Sequence, residues 1–180
     1  MAVVVFLRGV NVGGYRTFRP SVFARELSDH EVVNVGAAGT FIVWKPGQLT
    51  RFRAELRRRL PFDSEVVLCE ARDLIRLTTD NPFGCEPARA DVVRFVSVLP
   101  KPARVPPPIP TKFPSHGEWL VRLIAAKGRF ILGEYRRHMK TIGYLGELDK
   151  LVGSKVTTRN WSTITTIVRI LETPRLPTIP

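Results

Sequence analysis

Within its first seventy residues the chain alternates short β-branched apolar runs with two helical repeats, and that order admits few folds. Val3–Leu7 reads as a strand, being apolar and β-branched almost throughout. Residues 20–27 read as a short helix, with Val22, Phe23 and Leu27 on one face and Pro20 in the first turn, where proline is tolerated. Residues 31–35 and 40–44 read as two strands joined by a turn over 36–39, and Pro46-Gly47 ends the second. Residues 48–60 give the clearest helix: Leu49, Phe52, Leu56 and Leu60 recur at helical spacing, while Arg51, Arg53, Glu55, Arg57, Arg58 and Arg59 take the remaining surface. The cations of its last turn suit the helix dipole, and Pro61 stops it. Residues 65–70 make a fourth strand. The order β-α-β-β-α-β is that of a ferredoxin-like plait, four antiparallel strands with two helices on one face.

A second unit of similar strand–helix order follows. Residues 71–79 read as a helix, 91–99 as a strand, 118–126 and 129–135 as a hairpin about Lys127-Gly128, 147–152 as a short helix and 161–171 as a last helix. Between them, 100–114 holds prolines at 100, 102, 106, 107, 108, 110 and 114, so it must be extended and replaces a helix or forms a loop. The predicted class is therefore α+β, with a ferredoxin-like subdomain over 1–70, a second plait-like subdomain over 71–172 and a mobile tail over 173–180.

Charge is the unusual part of the composition. Twenty-eight Lys and Arg face sixteen Asp and Glu, a net of +12 with a pI near 10.6. An anionic partner is the natural inference, set against the simpler reading of a solvated basic surface. The longest apolar run near the N-terminus, 2–7, is too short for a membrane span and has no basic stretch before it. Cys69 and Cys85 form no C-x-x-C motif and suggest no disulfide framework, so a cytoplasmic protein without a membrane partner is expected.

Three regions carry candidate sites. Leu7-Arg8-Gly9-Val10-Asn11-Val12-Gly13-Gly14 leaves the first strand in a glycine-rich turn. Arg8 offers a planar cationic fork, Gly13 and Gly14 let backbone approach an anion, and Asn11 can bond a ligand or its own loop. The turn is neither G-x-G-x-x-G nor a P-loop. Near the C-terminus, Asn160 is placed to cap the last helix through its side chain. Trp161 opens the apolar face that Ile164, Ile167, Val168 and Leu171 continue. Arg159, beside a helix N-terminus, needs an acid or a bound anion, and could face Arg8. The third region, 101–141, has a net charge of +7 with Phe113, Trp119, Phe130 and Tyr135 interleaved. Arg122, Lys127, Arg129, Arg136 and Arg137 there could line a nucleic-acid surface with aromatics stacking on bases, although an RNP1 pattern is missing.

Catalytic and metal readings find little. His30, His116 and His138 have no metal-ligand spacing, neither H-E-x-x-H nor G-x-S-x-G occurs, and Glu147 and Asp149 look solvated. No cofactor and no metal is expected.

The motif over 7–14, Asn81-Pro82-Phe83, and Thr157-Thr158-Arg159-Asn160-Trp161-Ser162-Thr163 together resemble a bacterial family known as domain of unknown function 1697. The resemblance covers the chain up to about Leu171 and implies two tandem α/β-plait subdomains, with no established activity. The family's turn before the third strand usually reads Gln-Ser-Gly-Asn; here it is Ala37-Ala38-Gly39-Thr40. The functional expectation is a protein that binds an anionic ligand, nucleic acid foremost, through Arg8, Asn11, Gly13, Gly14, Arg159 and Asn160. The alternatives are a small enzyme acting on a phosphorylated or carboxylated metabolite between the subdomains, and an interaction module pairing through a sheet edge.

Overall fold

The computed structural model describes residues 1–11, 18–85 and 87–174. Gly13, Gly14 and most of the expected tail lie outside them. The fold is α+β, with two antiparallel sheets and five α-helices among the described residues.

The first sheet holds β1 (Val3–Leu7), β2 (Val32–Asn34), β3 (Thr40–Val43) and β4 (Val66–Glu70), in the order β2-β3-β1-β4. Every neighbouring pair is antiparallel. Helices α1 (Pro20–Glu26) and α2 (Leu49–Arg59) cover one face, where Phe23, Leu27, Phe52 and Leu56 pack on Val3, Val5, Phe41 and Val43. Gly39 closes the turn before β3 at φ 67°, and a Cβ there would meet the Leu7 side chain at 3.0 Å. The turn therefore retains glycine for both conformation and space.

The second sheet holds β5 (Val92–Val98), β6 (Thr111–Phe113), β7 (Val121–Lys127), β8 (Phe130–Arg136) and β9 (Thr157–Asn160), in the order β6-β7-β8-β5-β9. The proline-rich segment contains no helix and contributes the edge strand β6, which the sequence reading did not anticipate. The hairpin turn sits at Gly128-Arg129, one residue later than expected. Helix α4 spans Thr141–Val152, twice the predicted length; its first half carries Gly143 and Gly146, which mask the helical signal. The α4 face packs Leu148 against Phe95, Leu123 and Ile131.

Helices α3 (Ala71–Thr79) and α5 (Trp161–Glu172) join the two halves. A single core cluster takes Val4, Phe6, Ile42, Val67 and Cys69 from the first sheet and Val96, Val98, Phe130 and Leu132 from the second, with Leu74, Leu77, Ile164 and Ile167 from these helices. Both faces of each sheet are thus buried. That explains why β1 is apolar at every position instead of alternating. It also corrects the expectation of an exposed aromatic platform. Phe130 is buried, Phe113 stacks on Tyr144, Tyr135 packs on Phe95, and Trp119 is sandwiched by Arg122 and Arg136.

Candidate functional site: a cleft between the two halves

Arg159 leaves β9 on the same face as Val96 and crosses into the first half. Its Nε donates to Thr40 Oγ1 at 2.7 Å, its Nη2 to the carbonyls of Leu7 at 2.8 Å and Ala38 at 2.6 Å, and its Nη1 to the Thr158 carbonyl at 2.9 Å. The guanidinium also lies over the Phe6 ring. The side chain is buried, and desolvation lowers its pKa to about 10, which still leaves it charged at neutral pH. All its hydrogen-bond partners are neutral oxygens. The turn Ala37-Ala38-Gly39-Thr40 acts on Arg159 through two backbone carbonyls and one hydroxyl.

Arg8 follows β1 and turns toward α4, where its Nη2 meets Asp149 Oδ2 at 2.6 Å. Asp149 was expected to be solvated. Instead it is about three-quarters buried, with its second oxygen accepting from the Val156 N–H at 2.9 Å. A long-range partner such as this leaves no local signature in sequence.

Asn11 sits at φ 55°. Its Nδ2 donates to the carbonyls of Phe18 and Ala37, and its Oδ1 accepts from the Phe18 N–H, so the amide closes its own loop. Asn160 occupies the N-cap of α5 without a side-chain cap; its Oδ1 accepts instead from the Tyr135 hydroxyl at 3.1 Å. The competing tyrosine donor explains why the expected cap does not form. Arg8 and Arg159 are brought together, while Asn11 and Asn160 are occupied elsewhere.

The two arginines line one hollow of about 380 Å³, with Asp149, Thr157, Ile142 and Leu145 among its walls. Gly9 and Gly146, which lack a side chain, and Ala38, with only a methyl group, also line it. Two guanidinium groups against one carboxylate leave a net positive charge. Arg8 Nη1 and Thr157 Oγ1, side-chain atoms of two residues that line the hollow, are themselves shielded from solvent and have no hydrogen-bond partner among the described residues. Thr157 is only 2% exposed. An unsatisfied buried polar atom is costly and calls for a specific partner.

The basic surface expected at 122–137 is largely spent on internal bonds. Arg122 pairs with the buried Glu134 at 2.6 Å, and Lys127 with Asp80 at 3.1 Å. Arg129 donates to the carbonyls of Leu99, Pro100 and Leu68. Arg136 pairs with Glu118 and Asp91. Among the described residues, Arg137 alone of the five is exposed and without such a partner. Among the described residues no three His, Cys, Asp or Glu side chains gather as a metal site requires, and no helix is long and apolar enough to cross a membrane.

The three motifs that carry the family resemblance touch one another in pairs. Arg159 bonds the end of β1, and Phe83 packs edge-on against Trp161 with ring centroids 5.0 Å apart. No curated protein matches the chain. Among solved structures, it is similar to the conserved bacterial protein SP0830 from Streptococcus pneumoniae, at 16% identity and a TM-score of 0.54, over 95% of this chain and 98% of that one. That likeness is one of fold. A family model matches residues 1–107, and the chain belongs to the family described as protein of unknown function (DUF1697).

Proposed function

We propose that this protein binds a small anionic ligand, a carboxylate or phosphoryl compound with an apolar portion, in the cleft between its halves. The observation that carries the reading is a cleft lined by two arginines against a single carboxylate. The surplus positive charge favours an anion. Ile142, Leu145 and Val156 give the remaining wall an apolar character. Asp149 is held by Arg8 and a backbone N–H, and among the described residues no histidine or cysteine lines the cleft, so the reading is one of binding.

The same reading takes each sheet with its helices as a ferredoxin-like plait, over 1–70 and 71–172. The strand order β2-β3-β1-β4 supports this for the first, and the sub-order β7-β8-β5-β9 repeats it in the second, with the proline-rich segment in place of the first helix.

A thermal-shift screen of small carboxylates and phosphate monoesters tests the site. A ligand present at a hundred times its Kd stabilises the fold by about 2.7 kcal/mol, a rise of several degrees in Tm. Arg8→Lys keeps a cation beside Asp149 while removing the guanidinium fork, and Ala38→Glu adds a negative charge on the exposed wall. Each variant should weaken the response at least tenfold in ligand concentration. A response unchanged in both variants, or none from the whole panel, would overturn the reading.

A further inference from the structure

The exposed face of α2 concentrates arginines that no acid holds among the described residues. Five arginines occupy its eleven residues. Arg59 pairs with Glu55, which also meets His30 at 3.0 Å, so the helix's one acid is turned to the flank and neutralised. Arg51, Arg53, Arg57 and Arg58 are exposed, and none has a carboxylate or hydrogen-bond partner among the described residues. In the C-terminal half, by contrast, Arg94, Arg122, Lys127 and Arg136 are all held by acids.

Helix geometry arranges these four as a set. At about 100° per residue, the buried Phe52 and Leu56 fix the inner face, and Ala54 lies diametrically opposite. Arg53 and Arg57 stand one turn apart on one side of Ala54, about 6 Å along the axis. Arg51 and Arg58 stand on the other side, about 10 Å apart. Thr50 and Ala54 form a shallow exposed strip between the two rows. No acid and no large apolar side chain interrupts it. A membrane-surface helix would need bulky apolar residues on the face that enters the lipid, and here those residues point into the core. Single-stranded nucleic acid is held by aromatic stacking, and this face carries no aromatic.

We propose that the α2 face binds the sugar–phosphate backbone of duplex nucleic acid, without reading sequence. Two rows of guanidinium forks on a rigid helix suit phosphates on either side of a groove, and the small residues between them allow close approach. The inference does not rest on the cleft reading, since the two surfaces share no residue.

The test is fluorescence anisotropy of a labelled twenty-base-pair DNA duplex with the full chain at 50 and 200 mM salt. Four phosphate contacts predict an affinity loss on the order of 10²-fold between the two salts. The variant carrying Arg51→Gln, Arg53→Gln, Arg57→Gln and Arg58→Gln should retain its near-UV circular dichroism yet lose most of the low-salt affinity and nearly all of the salt slope. Arg137→Gln should reduce binding little. Scrambling the duplex sequence should change nothing. Absent binding of the unsubstituted protein at 50 mM salt, a quadruple variant that binds equally well, or preferential binding to anionic vesicles over the duplex would each overturn the proposal.

Discussion

Arg159 and Cys69 show how far burial governs a single side chain. Arg159 remains charged in the interior because five neutral oxygens surround its planar fork, and a lysine could not reach them from one nitrogen. Cys69, 1% exposed, has its thiol pKa pushed from 9.0 up to about 12, chiefly by desolvation. The consequence for stability has a definite sign. Below pH 9 the thiol is protonated in both folded and unfolded chains, and its contribution is fully present. Above pH 9 the unfolded chain ionises while the folded one does not, so stability falls as pH rises toward 12, by up to about 4 kcal/mol for a shift of this size. Urea unfolding at pH 8 and pH 10.5 should show a steeper loss in the unsubstituted protein than in Cys69→Ala. Equal losses would mean that the thiol ionises alike in both states.

Elements of this molecule depend on glycines in opposite ways. Gly133 lies within β8 opposite Phe95, and a Cβ there would come within 2.4 Å of the Arg122 carbonyl and 2.6 Å of the Phe95 ring. Both neighbours are fixed, one as backbone and the other in a filled core, so Gly133→Ala should cost about 3 kcal/mol in urea unfolding. Gly143 in α4 has open space around it and helical backbone. Gly143→Ala should therefore stabilise by up to about 1 kcal/mol. The sequence reading found the second half of α4 and not the first for the same reason. Propensity there opposes a helix that packing against the second sheet maintains, through Leu148 and Tyr144.

At the scale of the whole molecule the halves are bound by a common core and by polar bonds across the joint: Arg8 to Asp149, Lys155 to Glu65, and Arg159 to the end of β1. Such sharing predicts one cooperative transition, with near- and far-ultraviolet circular dichroism melting together. Arg159→Ala should lower that single midpoint by the equivalent of about 3 kcal/mol, since it strands buried carbonyls. Two separated transitions would show that each half folds alone.

Much of this architecture was legible along the chain. The strands of the first half, α2, α3 and α5 follow from local periodicity and from proline and glycine punctuation, because each is settled by neighbours within a few residues. Arg8 and Arg159 stood out for the same reason: a cation in a glycine turn, and another at a helix start where the dipole opposes it. What those cations meet was not legible. The sequence by itself determined the elements, their order and an excess of positive charge. The tertiary structure alone decided that Asp149 holds Arg8, that carbonyls hold Arg159, that the aromatics of the second sheet are packed or covered, and that four arginines of α2 share one exposed face with no acid against them among the described residues. Hydrogen bonds and ion pairs between residues more than a hundred positions apart form only when two sheets close on a shared core, and no local pattern encodes such a meeting.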